Sequence, residues 1–444
     1  MKINSAHNTL VNGMNPIGVN LIKNLVWVYF FLLIFEGALR KWVLPGLATP
    51  LLIIRDPVAL LAILTAYKYK MLKSNRYLNS MIVLTLISLM ATMAFGHGNI
   101  MVAIYGARII LIHLTFMFLI GQILDYEDVV KIGKAVLIIS IPMALLIGMQ
   151  FYSPQSALVN RGIGGSAEGG GFNGGAQGYF RPPGTFSFTV GNVQFFSLVS
   201  VFVLYFLFNL KNVNKIIVIG SAFALIAAVP LSISRGLLFQ VLIGLIFVGI
   251  SISGDAKNFG KLLTIVFFGF IVIFILKDTP FFQTATGAFT ERFETANEAE
   301  GGVESMFLDR FLGGLLTAVT GTDGLPLFGH GLGMGTNVGA QLLFGSAVFL
   351  IAEGEWGRTV GEMGPLLGIL IIFVRSTWVF SVFFKSFQKI KEGEILPWLL
   401  MSFGFLLLLQ GQLSQPTSVG FVVLVGGLVI ASLKDKPEAG SLDE

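Results

Sequence analysis

Four short segments of the chain combine residue types that bind phosphate or move a proton. In Leu231-Ser232-Ile233-Ser234-Arg235-Gly236, an arginine and two hydroxyls precede a glycine. A guanidinium is planar, permanently charged and presents paired N–H donors to phosphate or carboxylate. The glycine leaves room for a ligand or a neighbouring backbone. Arg181-Pro182-Pro183-Gly184-Thr185-Phe186-Ser187 places a second arginine where a proline-fixed turn feeds a helix, and helix N-termini favour anions. Pro326-Leu327-Phe328-Gly329-His330-Gly331-Leu332-Gly333-Met334-Gly335 alternates glycine around a histidine. It lacks the strand-and-helix setting of a dinucleotide fingerprint. Glu353-Gly354-Glu355-Trp356-Gly357-Arg358 and Glu362-Met363-Gly364 follow. Glu353, Glu355 and His330 are the candidates for a general base. Arg181, Arg235, Arg310, Arg55 and Arg358 are the candidates for anion binding. The structural alternatives are solvated loop charges for the acids, and capped helix carbonyls or snorkelling for the arginines.

The elements that must position these residues are membrane spans. Of 444 residues, 55% are hydrophobic and 12% charged, about half the ~25% charge of a globular domain. The apolar residues gather in runs, and a hydrocarbon core takes about 20 apolar residues of helix. On that ruler spans are predicted near 19–36, 51–67, 78–96, 100–121, 130–151, 189–210, 214–232, 235–253, 259–276, 361–383, 396–412 and 417–433. The predicted fold class is all-α, a polytopic transmembrane bundle of about twelve spans forming one domain over 1–444. Two long connections interrupt it. Residues 152–188 are glycine-rich and expected to be mobile; residues 277–360 form a larger loop with short helices. Within the latter, the stretch from Gln341 to Ala352 is apolar but too short to cross, and reads as interfacial or re-entrant. The polar opening leads into a full-length span with no small-residue cleavage site, so no cleaved signal peptide is expected. With no cysteine and four histidines, the chain offers little for a metal centre, and no metal, cofactor or nucleic-acid partner is expected.

Charge placement orients the bundle. With a cytoplasmic N-terminus, Lys2, Lys23, Lys68, Lys70, Lys73, Arg76, Lys131, Lys134, Lys211, Lys215, Lys257, Lys261, Lys385, Lys389, Lys391, Lys434 and Lys436 fall inside. The positive-inside rule then puts both termini in the cytoplasm. Arg40, Lys41, Arg55, Arg108, Arg161, Arg181, Arg235, Lys277, Arg292, Arg310, Arg358 and Arg375 fall in spans or outside. Inside is lysine, a generic anchor to the anionic leaflet; outside is arginine. Arginines recurring where positive charge is disfavoured point to an anionic, phosphorylated ligand handled near the outer surface.

In this order the four segments resemble the bacterial O-antigen ligase and O-antigen polymerase superfamily. Its members carry a Ser-x-Ser-Arg-Gly-like turn between two spans and an Arg-x-x-Gly-Thr-Phe-like approach to a mid-chain span. A large periplasmic loop follows, with an arginine and a Pro-x-x-Gly-x-Gly-x-Gly pattern, and then Glu-x-Gly at the next span. Here these fall at 231–236, 181–186, Arg310 with 326–333, and 362–364, and the detailed match covers roughly 180–370. The resemblance implies a metal-independent glycosyltransferase of the bacterial inner membrane. It would take a glycan from an undecaprenyl-diphosphate carrier on the periplasmic face and pass it to an acceptor glycan or lipid A core, with a chain-length regulator as a further partner. Arg235, Arg181 and Arg310 match the family's diphosphate-binding arginines, with Arg55 and Arg358 as additions.

The family's ligases carry a histidine about ten residues before Glu-x-Gly. This chain has Ala352-Glu353-Gly354-Glu355-Trp356 there, and its nearest histidine is His330. That departure favours a polymerase or related exopolysaccharide enzyme and leaves the base open among Glu353, Glu355 and His330. The rival reading is a transporter or flippase of a lipid-linked oligosaccharide, which would need a polar route through the inner halves of the spans.

Overall fold

The computed structural model describes residues 15–167, 174–210, 213–277, 279–299, 313–321, 324–345, 351–352 and 354–435. Every apolar run folds as helix. In chain order these are α1 (Pro16–Ala38), α2 (Arg55–Lys68), α3 (Arg76–Phe95), α4 (Ile100–Ile123), α5 (Tyr126–Tyr152), α6 (Thr189–Phe208), α7 (Lys215–Leu231), α8 (Arg235–Ser251) and α9 (Ala256–Leu276). The long connection carries α10 (Pro280–Ala299), α11 (Gly314–Thr320) and α12 (Asn337–Phe344). α13 (Glu355–Lys389), α14 (Leu396–Gln410) and α15 (Pro416–Ser432) complete the bundle. Among the described residues the strands are confined to one antiparallel hairpin, β1 (Gly174–Ala176) with β2 (Tyr179–Phe180).

The runs start where short polar side chains can cap them. Asn15, Asn75, Asn99, Asp125, Asn214, Ser234 and Asp255 each accept from N–H groups of the first turn, which would otherwise be unpaired. α6 and α15 are buried along most of their length. α9 buries only Leu262 and turns Phe267, Phe268, Phe270 and Phe274 outward. A helix that apolar on its outer surface is stable against lipid rather than water. The chain is thus an all-α membrane-embedded protein. Among the described residues seven helices are long and apolar enough to cross a bilayer, and Pro45–Leu51 with Arg55–Lys68 forms one bent addition. α7, α8, α14 and α15 are equally apolar but have only 15–17 residues, about 22–26 Å at 1.5 Å per residue. They form two hairpins, α7–α8 and α14–α15.

Three expectations about connections need correction. Residues 152–188 are not simply a mobile glycine loop. Gln150 exchanges two hydrogen bonds with the Gly184 backbone (2.8 and 3.1 Å). The Asn160 amide donates to the carbonyls of Gln150, Ser153 and Pro154. Two polar side chains thereby fasten both ends of the described part. Of the apolar stretch read as Gln341 to Ala352, the first four residues end a helix that begins at Asn337, is capped by Thr336 and stops at Phe344, where Gly345 turns left-handed (φ 73°), and 346–350 lie outside the described residues. The span expected from 361 begins at Glu355 and breaks at Gly364 (φ 76°, ψ 169°) before Pro365.

Candidate anion-binding site at the loop end

The break at Gly364 decides what the acidic segment does. In a straight helix Glu355 and Arg375 would lie about 30 Å apart. Their side chains instead meet at 3.3 Å (Oε1 to Nη1). The arm 355–363 therefore folds back against the start of 365–389, and a Cβ on Gly368 would come within 2.8 Å of the Val360 Cα. Eleven residues of helix, about 16 Å, separate Gly364 from Arg375. Arg375 also donates to Leu408 O (2.6 Å) and Gly411 O (3.3 Å), so the α14–α15 turn lies well below the break. Arm 355–363 is a folded-back half-helix with its N-terminus buried in the bundle.

That depth corrects two site expectations. Glu355 Oε1 accepts from Arg358 Nη2 (2.7 Å) and Arg375 Nη1, while Oε2 accepts from Arg358 Nε (3.1 Å) and Leu413 N (2.9 Å). Arg358 Nη1 donates to Glu362 Oε2 (2.7 Å), and Glu362 Oε1 accepts from Gly335 N (2.9 Å). Both carboxylates and Arg358 are almost fully buried. The cavity beside them is small, about 30 Å³. As placed, Glu355 is a counter-ion rather than a base, and Arg358 has no N–H fork to offer a ligand. Glu353 and Arg310 lie outside the described residues.

The alternating glycines answer the same break. Pro365 has no N–H, which frees the Gly361 carbonyl, and the kink frees that of Glu362. His330 N and Gly331 N donate to these two oxygens, both at 2.9 Å. Gly329, Gly331 and Gly333 all have positive φ, and a Cβ on Gly333 would stand 2.2 Å from the Val102 carbonyl. The motif is a backbone clamp onto α4 and α13, not a phosphate cradle. The His330 imidazole is half-buried and makes no hydrogen bond among the described residues.

Arg55 is also committed to structure. Its Nε donates to Glu36 Oε2 (3.1 Å) and its Nη2 to Pro416 O (2.5 Å). Arg40 bonds the other Glu36 oxygen, Ser187 and Ala48 O, and Lys41 donates to Gly184 O and Phe186 O. The charges of 36–55 thus tie α1 and α2 to the turn before α6. Asp56 binds both Arg108 and His113.

Arg181 has no such ion pair among the described residues. Arg181 follows the β-hairpin and makes no hydrogen bond among the described residues; its Nε is buried without a partner. Burial holds the guanidinium below its ordinary pKa, and the positive charge of Arg292 on α10 pushes the same way. Packing brings Arg235 to this neighbourhood. Ile233, in the turn before it, has a left-handed backbone (φ 48°) and presses its side chain toward Gly175 of β1. Phe239, one turn into α8, meets Phe293 of α10 at 6.2 Å. Turn, hairpin and α10 thus gather Arg235, Arg181 and Arg292 at one end of the bundle. Arg181 thus carries an unpaired buried donor within the field of a second positive charge, an arrangement that a nearby anion stabilises.

No family model, curated protein or solved structure matches the chain. Arg292 was missed as a site residue because nothing local marks it. Its sequence signal was its place among the outer arginines, and only the packing of α10 on the hairpin pairs it with Arg181.

Proposed function

We propose that the chain is a glycosyltransferase of the bacterial inner membrane, with twelve spans, both termini cytoplasmic and its working face periplasmic. It polymerises, or transfers to an acceptor such as lipid A core, oligosaccharide carried on undecaprenyl diphosphate. The observation that carries this reading is the Arg181–Arg292 pair, with its unpartnered guanidinium nitrogen, beside the Arg235 turn. Such a cluster suits a diphosphate and offsets the charge that builds as the carrier leaves. In the reaction an acceptor hydroxyl oxygen bonds to the anomeric carbon and the bond from that carbon to the phosphate oxygen breaks. Undecaprenyl diphosphate leaves with the electron pair, and the hydroxyl proton passes to a base. With Glu355 saturated, Glu353 and His330 are the bases to test.

The short hairpins support the twelve-span count, because each pair of α7–α8 and α14–α15 returns the chain to the same side. The transporter reading gains less support. Buried ionisable residues pair with one another in three sets, Glu36–Arg40–Arg55, Asp56–Arg108–His113 and Glu355–Arg358–Glu362–Arg375. The test is binding of undecaprenyl diphosphate to purified protein in nanodiscs. Loss of binding in Arg181→Ala and Arg292→Ala supports the reading, and unchanged affinity in both correctly inserted variants overturns it.

A further inference from the structure

A second unassigned feature lies next to the arginine cluster. α6, α8 and α14 meet around a cleft of about 230 Å³ lined by Gln194, Ser197, Gly236, Gln240, Phe403 and Gln410, among others. Gly236 follows Arg235 directly, so the cleft opens where the diphosphate is proposed to sit. Its lining contains no charged side chain. Gln240 is 8% exposed and its Nε2 has no partner. Gln194 donates to Ser418 Oγ at 2.9 Å, which fixes its amide, while its Oε1 has no partner. Gln410 is held from the other side by Trp356 Nε1 at 3.3 Å. Two residues lining one cleft thus carry an unpaired buried donor and an unpaired buried acceptor, each of which costs stability unless a ligand answers it.

An acyl chain answers neither. A charged ligand would have no counter-charge in the lining. A hydroxyl both donates and accepts, so it satisfies an amide in either orientation, and Phe403 offers an aromatic wall to the apolar face of a ring. The cleft is smaller than a drug-sized site, ~300–1,000 Å³, and on the scale of one sugar ring. We infer that this glutamine-lined cleft binds an uncharged sugar ring, its hydroxyls bonding Gln194 Oε1 and Gln240 Nε2. The inference deepens the proposed function and rests on it for the neighbouring diphosphate. The ring belongs either to the carrier-linked donor or to the acceptor.

The experiment uses the full chain in nanodiscs and three probes: undecaprenyl diphosphate, the same carrier bearing one N-acetylglucosamine, and an array of neutral and uronic-acid-containing oligosaccharides without carrier. The variants are Gln194→Leu and Gln240→Leu, checked for unchanged melting temperature. Two hydrogen bonds correspond to about a 10- to 30-fold gain in affinity. If the ring is the donor's, the sugar-bearing carrier binds that much more tightly than the bare one, and both variants erase the gain without touching bare-carrier affinity. If it is the acceptor's, neutral oligosaccharides on the array are retained by the wild-type protein and lost by the variants. Variants that bind carrier-linked and free glycans as the wild type does overturn the inference. Bare-carrier binding that ignores Arg181→Ala counts against the proposed function instead, and leaves both sugar arms readable.

Discussion

Glu355→Gln separates a structural carboxylate from a catalytic one. In the folded chain this carboxylate accepts four hydrogen bonds, three from Arg358 and Arg375 and one from Leu413 N, and is almost fully buried. An amide of the same shape keeps one acceptor oxygen and turns two donor hydrogens toward N–H groups that need acceptors. Glu362 is left to balance two guanidiniums. Breaking one member of a buried ion pair costs about 3–5 kcal/mol, because the remaining charge stays buried without compensation. The loss falls on the joint between arm 355–363, helix α13 and the α14–α15 turn. The expected result is a melting temperature lowered by several degrees in detergent, with faster proteolysis between 345 and 364 and activity falling in step with the folded fraction. Substituting Leu for both Glu355 and Arg375 should recover part of the lost stability, since this paired removal leaves Arg358 bound to Glu362 and orphans neither charge. A Glu355→Gln protein that melts as the wild type does, yet transfers no glycan, would refute the counter-ion assignment and return Glu355 to the chemistry.

Further expectations follow from the loop end. Arg181→Ala should weaken diphosphate binding by about 10- to 100-fold, the range of one or two charge-assisted hydrogen bonds; Arg181→Lys should recover only part of it, because a point charge cannot fork, and titration with radiolabelled carrier reads both. Gly333→Ala forces a Cβ to within 2.2 Å of the Val102 carbonyl at φ 84°, and should destabilise the chain by about 1–3 kcal/mol, seen as early melting; wild-type melting would contradict the clamp. His330→Gln and Glu353→Gln should divide cleanly in a transfer assay: the base loses about 10²- to 10⁴-fold in rate with carrier affinity intact, and the other variant keeps most of its rate.

The helices were legible because the apolar runs are long, whereas their starts are set by caps that the length of a run does not mark. Asn15, Asn75, Asn99 and Asp125 mark boundaries that hydropathy alone blurs. The fold-back of 355–363 was not legible. Its charges made it read as loop, although Glu355, Arg358 and Glu362 stand at the i, i+3, i+7 spacing of a helix face; the missing signal was that these charges would be buried together. The glycine alternation at 329–335 was legible as a constraint but not as its purpose, since its partners, the freed carbonyls of Gly361 and Glu362, exist only because Pro365 breaks a helix some thirty residues later. Arg55 looked like a ligand arginine for a related reason. An arginine in an apolar run demands a partner, and sequence does not reveal that Glu36, on another helix, supplies it. The glutamine cleft left no trace, because single amides in apolar runs carry no charge signal and meet only through the packing of α6, α8 and α14.

The central claim is transfer of a carrier-linked glycan. The most direct measurement gives purified protein undecaprenyl-diphosphate-linked oligosaccharides from its own host, without nucleotide, and resolves products by size while following free undecaprenyl diphosphate. Longer carrier-linked glycans, or a single glycan passed to an acceptor, are expected, with one carrier released per bond formed and the yield collapsing in Arg181→Ala. Intact substrate throughout, with the lipid moving across proteoliposome membranes instead, would contradict it and favour a transporter.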